Sequence, residues 1–164
     1  MDAPALHDRL APLSFLVGTW RGLGVVGYPT IEQRRYEQEV VFAHDGRPFL
    51  EYTSRTWILD EDGRRIRPAA REAGWWRPGK QPRDVELLLA HPTGIVEVYV
   101  GEVVFSKIEL RTDVVARTET AKSVTALHRL YGLVEGDLAY AVDLAAVDQP
   151  LQPHLSARLA RVAE

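Results

Sequence analysis

The chain has 164 residues, of which 46% are hydrophobic and 26% charged, and this balance excludes disordered and collagen-like chains. Its 20 Lys and Arg residues against 23 Asp and Glu residues leave a formal net charge of −3, so no general attraction to nucleic acid or to an anionic membrane surface is expected. Cysteine is absent, which excludes disulfides, iron–sulfur clusters, thiolate zinc sites and a cysteine nucleophile. The length is typical of one domain, and we assign residues 1–164 to a single domain.

The N-terminal region lacks the features of an export signal. Its longest apolar stretch, residues 10–17, is interrupted by Pro12 and Ser14 and is too short to span a membrane. We predict that residues 6–16 form a short helix or an irregular cap before the first strand. A cytoplasmic location is expected by default.

Segments of alternating character follow, separated by turn sequences rich in Gly, Pro and Asp. The alternation is clearest in residues 35–42, 95–100 and 138–145. A period of two is typical of half-buried antiparallel strands. Evenly spaced hairpins without a long helix predict a meander of roughly ten strands, and closure into a barrel removes the exposed edges.

The last segment has a different spacing. Within residues 152–163, the apolar residues Leu155, Leu159 and Val162 stand at i, i+4 and i+7, which indicates a short amphipathic helix. Pro153 suits the first turn of such a helix. Short helical segments are therefore predicted at both ends of the chain.

Barrel size bears on function, because barrels of about eight to ten strands can enclose a small ligand. The even-numbered residues of the segment 138–145 are Leu, Tyr, Val and Leu, and they offer an apolar wall. Ligand pockets combine such walls with a few placed polar groups. The residues alone thus indicate a container for a hydrophobic ligand.

Six sequence blocks, spread in order over nearly the whole chain, match one protein family. They are Gly18–Gly24 (GTWRGLG), Tyr28–Ile31 (YPTI), Glu39–Leu50 (EVVFAHDGRPFL), Glu72–Pro78 (EAGWWRP), Ala90–Val98 (AHPTGIVEV) and Leu151–Leu155 (LQPHL). The first has the pattern G-x-W-x-G-x-G, and together the blocks resemble the nitrobindins, which are barrels related to fatty-acid-binding proteins and lipocalins. The resemblance implies an all-β, ten-stranded antiparallel up-and-down barrel that holds a b-type haem through one His of the C-terminal segment.

The implied activity is isomerisation of peroxynitrite to nitrate, together with reversible binding of nitric oxide at ferric iron. In this chemistry the iron is the Lewis acid, while the protein supplies confinement and the axial ligand. The expected partners are these small molecules, and no binding to nucleic acid or to a membrane is expected. Formation of a homodimer is left open.

Three residues are candidates for the haem site. By residue type alone His154 is read as an exposed or capping His, but in the LQPHL block it matches the axial iron ligand of the family. Thr30, in YPTI, matches a Thr that contacts haem in the family. The alternative is that its hydroxyl lies at the start of a strand and is bonded to the backbone. Lys122 is interpreted equally as a partner of a haem propionate or as a solvated loop lysine. Some relatives carry a His in the loop matched here by residues 67–70, and this chain has none there.

Other positions in the first block have structural interpretations. Trp20 is predicted to close one barrel end, and Gly22 and Gly24 to permit close approach of strands at a barrel corner.

Two further functions stay open: a carrier of lipid or another small hydrophobic molecule, and a nitric oxide sensor without catalysis. The Gln152-Pro153-His154 sequence favours a haem protein over a carrier. Nothing in the sequence separates catalysis from sensing.

Overall fold

Ten antiparallel strands form one closed barrel in the computed structural model, which describes residues 2–163. A 3₁₀ helix, Asp8–Leu16, precedes the strands and is the only helix within those residues. The strands are β1 (Gly18–Tyr28), β2 (Ile31–Ala43), β3 (Leu50–Leu59), β4 (Arg65–Pro78), β5 (Asp84–His91), β6 (Ile95–Val104), β7 (Lys107–Arg117), β8 (Val124–Val134), β9 (Asp137–Ala146) and β10 (Gln152–Arg161). Each strand pairs with its chain neighbours, and the pairing of β1 with β10 closes the barrel. The predicted fold class is confirmed.

Alternation along the strands separates the core from the surface. In β3, Leu50, Tyr52 and Ser54 are buried while the residues between them are exposed. In β9, Leu138 and Tyr140 are buried on the same inner face, as the alternation predicted. No helix among residues 2–163 is long and apolar enough to cross a membrane.

Trp20 closes one end of the barrel beneath the 3₁₀ helix. It is fully buried, and its indole Nε1 donates to the carbonyl of Leu16 over 2.9 Å. The guanidinium of Arg161 lies 4.2 Å above the indole ring. The predictions for Trp20 and for a short N-terminal helix are therefore confirmed.

The predicted C-terminal helix is wrong, because Gln152–Arg161 forms the strand β10. Leu155 and Leu159 are four residues apart, which places them on one face of a strand as well as on one face of a helix. Ala157, between them, is buried on that face. The strand is favoured because pairing with both β1 and β9 satisfies its backbone groups and leaves neither neighbour with an open edge.

The first block of the sequence has glycines where backbones approach closely. A Cβ at Gly22 would clash with the carbonyl oxygen of Arg158 on β10, and one at Gly24 would clash with the ring of Tyr36. The close approach predicted for both glycines is confirmed.

We expect Gly22→Ala to lower the free energy of unfolding by about 1–3 kcal/mol, because the added methyl group forces β1 and β10 apart. Gly132→Ala is the matched control, since a Cβ there would have no atom nearer than 3.8 Å. Urea unfolding followed by tryptophan fluorescence measures both variants. Equal unfolding midpoints would show that the close approach of β1 and β10 is not a constraint.

Candidate functional site

A cavity of about 510 Å³ lies inside the barrel, within the range typical of ligand sites. Its apolar lining comes from five strands and includes Val26, Ile31, Ile58, Ala69 and Leu155. Five loops surround its open end, those that join β1 to β2, β3 to β4, β5 to β6, β7 to β8 and β9 to β10.

Several polar residues also line the cavity, and four of them, Tyr36, Gln38, Ser54 and Tyr140, are bonded to one another. The Tyr140 hydroxyl donates to Oε1 of Gln38 over 2.6 Å, and Nε2 of Gln38 donates to the Ser54 hydroxyl over 2.8 Å. The Tyr36 and Tyr140 hydroxyls are 2.9 Å apart. Because these groups satisfy each other, they form a fixed polar floor of the cavity.

A buried ion pair forms part of this floor. Arg129, which is 3% exposed, donates to Glu72 over 2.6 Å. Burial by itself raises the pKa of Glu72, but the charge and hydrogen bonds of Arg129 outweigh burial and hold this pKa at about 2. Glu72 is therefore an anion at neutral pH.

A second carboxylate, Glu97, and the imidazole of His91 complete the charged cluster. Nε2 of His91 lies 2.9 Å from Glu97, and its Nδ1 lies 3.8 Å from Glu72. Burial lowers the pKa of His91, but the hydrogen bond to Glu97 and the charge of Glu72 raise it above its usual value. With His91 protonated, two cations face two carboxylates, and the buried charges are balanced.

Sequence reasoning missed this charged cluster. The available signal is that Glu97 stands between Ile95 and Tyr99 on one strand face, and that Arg129 stands between Leu127 and Tyr131. A charged residue within a buried period-two face needs a buried partner, although the alternation does not say which residue that partner is.

His154 stands at an irregularity of β10. Pro153 pairs with Asp143 and Leu155 pairs with Val142, so His154 is an extra residue with no partner on β9. Such a bulge turns a side chain away from the regular alternation.

A carbonyl group on β1 holds the imidazole of His154. The ladder between β1 and β2 shifts between Val26 and Tyr28, at Gly27. The Gly27 carbonyl oxygen lies 3.0 Å from Nδ1 of His154, and since a carbonyl only accepts, Nδ1 carries the proton. Nε2 has no hydrogen-bond partner within residues 2–163.

The imidazole of His154 is neutral near pH 7. Burial lowers its pKa below the usual value and outweighs the opposing effect of the bond to Gly27. A neutral imidazole whose Nδ1–H is fixed by an acceptor presents the Nε2 lone pair, which is the form that ligates a metal ion.

His154 lies at the boundary of the central cavity. It lines an adjoining recess of about 460 Å³, and the recess and the cavity share Val26, Ile31 and Leu155. The imidazole is thus placed at the rim of the barrel, beside the cavity and not at its centre.

The other two candidate residues are further from this arrangement. Thr30 is exposed in the turn between β1 and β2, and Lys122 is exposed in the loop between β7 and β8. Both are at the open end, but neither lines the cavity or the recess. Within the described part of the chain the Thr30 hydroxyl has no backbone partner, so the alternative interpretation of this residue finds no support.

The segment that replaces the His-bearing loop of some relatives is not a loop in this chain. Residues 67–70 belong to β4, and Arg67, Ala69 and Ala70 line the cavity.

Comparison with known proteins agrees with the fold and the sequence blocks. A protein from Nocardioides sp. named "Peroxynitrite isomerase" is 56% identical over 95% of this chain and 94% of its own length. A "Ferric nitrobindin-like protein" from Kineococcus radiotolerans is 50% identical over 93% of both chains. The crystal structure of Rv2717c from M. tuberculosis superposes with a TM-score of 0.87 at 44% identity, covering 97% of this chain and 100% of that one.

The model of one protein family, described as "THAP4-like, heme-binding beta-barrel domain", matches residues 9–161. This match spans all ten strands, and the nitrobindin resemblance predicted from the six sequence blocks is confirmed. The chain belongs to the THAP4-like, heme-binding β-barrel domain family.

Proposed function

We propose that this protein is a haem b protein that isomerises peroxynitrite to nitrate and that Nε2 of His154 is its axial iron ligand. The observation that carries the proposal is the neutral His154 imidazole, fixed by the Gly27 carbonyl beside a cavity of about 510 Å³. The relatives named for this activity are more than half identical to the chain over almost its whole length.

The residues around His154 fit a haem group. Val26, Ile31 and Leu155 give apolar walls suited to a porphyrin, and these walls are shared by the cavity and the recess. Arg34 and Arg67 line the cavity and supply cations for the two propionates. Thr30 and Lys122 remain proposed haem contacts, since both lie in loops at the same open end.

The side chains need only hold and confine the reactants. When bound, the iron supplies a Lewis acid at which an anion can coordinate. Peroxynitrite and nitrate contain the same atoms and carry the same charge, so the isomerisation needs no net proton transfer. This agrees with the polar floor, whose hydroxyl and amide groups are already bonded to one another.

Reversible nitric oxide binding at ferric iron is part of the same proposal, because it would use the same haem iron held by His154. A carrier of small hydrophobic molecules would use the same cavity without metal, and a sensor would bind nitric oxide without turnover. Four further points stay predictions. They are a cytoplasmic location, a single domain over residues 1–164, the absence of nucleic-acid and membrane partners, and a possible homodimer.

Replacing His154 by Ala should abolish the Soret band of protein-bound haem and leave only the absorption of free haem, because the Nε2 ligand is lost. His128→Ala is the matched control, since His128 is a half-buried strand His that is bound to Glu109 over 3.0 Å. Far-UV circular dichroism should show the same β-rich spectrum for both variants. A His154→Ala variant with an unchanged Soret band would overturn the ligand assignment.

Ferric protein should accelerate the decay of peroxynitrite in stopped-flow measurements and yield nitrate in place of nitrite, because the cavity would confine the reactants at the haem. In the presence of the His154→Ala variant mixed with haem, peroxynitrite should decay no faster than it does with free haem. Equal rates for the two proteins would mean that the bound haem is not catalytic, and sensing or carriage would then replace isomerisation.

The neutral His154 should make the apo fold less stable in acid. The unfolded chain binds a proton at its usual pKa of about 6.5, whereas the folded chain resists it, so stability is lost as pH falls below that value. We therefore expect the urea midpoint of the wild type to fall more between pH 7.5 and pH 5.5 than that of His154→Leu. The same pH dependence in both proteins would contradict the buried neutral imidazole.

A further inference from the structure

We propose that Tyr28 is a positioning residue for His154, a role that rests on the function proposed above. Tyr28 ends β1 and follows Gly27 directly, so two consecutive residues contact one imidazole. Gly27 receives the Nδ1 proton, and Tyr28 supplies an aromatic ring.

The ring of Tyr28 contacts the imidazole edge to face. The two ring centroids are 5.5 Å apart, and the ring planes meet at 86°. This is a favourable aromatic geometry. Since the hydrogen bond to Gly27 fixes one ring nitrogen only, a perpendicular neighbour restrains the rotation that this single bond leaves free.

The hydroxyl of Tyr28 ties this ring to a third strand. It donates to the carbonyl of Leu144 over 2.9 Å and accepts from the backbone N–H of Ala146 over 3.0 Å. Leu144 and Ala146 belong to β9, and β10 lies between β1 and β9. The Tyr28 side chain therefore reaches across β10 at the level of the bulge that contains His154.

The position of this anchor matters because of the loop that follows it. Ala146 is the last residue of β9, and the next two residues, Val147 and Asp148, have φ angles of +45° and +64°. Residues with side chains rarely adopt this backbone conformation. The Tyr28 hydroxyl is bonded to the peptide groups on both sides of Ala145, and it thereby holds the start of the loop that leads to His154.

Other contacts in the recess do not provide this restraint. Among the described residues, Asp143 is the only one with a carboxylate that lines the recess, and its Oδ2 lies 3.8 Å from Nδ1 of His128. The walls formed by Val26 and Leu155 pack without a directional bond. Tyr28 is the side chain that combines a ring contact with His154 and an anchor on the loop before it.

Two variants separate the two parts of this role. Tyr28→Phe keeps the ring and removes the hydroxyl anchor, whereas Tyr28→Leu removes both. Thr125→Val is the matched control, because the Thr125 hydroxyl donates to the Ala145 carbonyl over 3.1 Å and so also ties the end of β9, without contact to His154.

The first readout needs no haem. In ¹⁵N-labelled apo protein, NMR of the imidazole nitrogens reports the tautomer of His154. We expect the Nδ1–H tautomer in the wild type and in Thr125→Val, a mixture of tautomers in Tyr28→Leu, and an intermediate proportion in Tyr28→Phe. The same tautomer in Tyr28→Leu as in the wild type would overturn the proposal.

The second readout is the rate of haem transfer from the loaded protein to excess apomyoglobin. Loss of an interaction that orients a metal-binding His costs about 10- to 100-fold in affinity, so Tyr28→Leu should lose haem faster by about that factor. An increase of the same size in Thr125→Val would assign the effect to general loosening of β9 and overturn the role of Tyr28. If no protein binds haem but the tautomers still differ as expected, the positioning role holds and the proposed function fails.

Discussion

The hydrogen bond from Nδ1 of His154 to the carbonyl of Gly27 is the interaction on which the proposed site depends. It exists because two ladder irregularities lie next to each other, one at Gly27 on β1 and one at His154 on β10. The regular pairing of β1 with β10 stops at Val26 and Leu155. Beyond that point a side chain on β10 takes the place of the next backbone donor, and its second ring nitrogen is left available.

Closure of the barrel makes this arrangement rigid. β10 is bonded to β1 on one side and to β9 on the other, so the bulge at His154 lies within the ladder with β9 and directly beyond the end of the ladder with β1. At the opposite end, Trp20 and the 3₁₀ helix close the interior with apolar side chains. Between the two ends, the ion pair of Arg129 with Glu72 and the hydrogen-bonded Gln38 and Tyr140 form the polar floor of the cavity.

The sequence is sufficient to predict the barrel and the family, and it predicts the C-terminal segment incorrectly. Alternation in β2, β6 and β9 indicates strands because each has one buried face. In β10 the spacing of Leu155 and Leu159 is compatible with both a helix and a strand. The strand forms because β1 and β9 each offer an edge with which it pairs. The ion pair of Glu72 with Arg129 joins residues 57 positions apart, and no local pattern specifies such a partner. The acceptor on Gly27 is likewise 127 positions from His154.

The most direct test is a crystal structure of the haem-loaded protein. We expect iron bound to Nε2 of His154, with Nδ1 of the same ring still bonded to the Gly27 carbonyl and the porphyrin against Val26, Ile31 and Leu155. Iron bound to a different residue, or a His154 ring turned away from Gly27, would contradict the account.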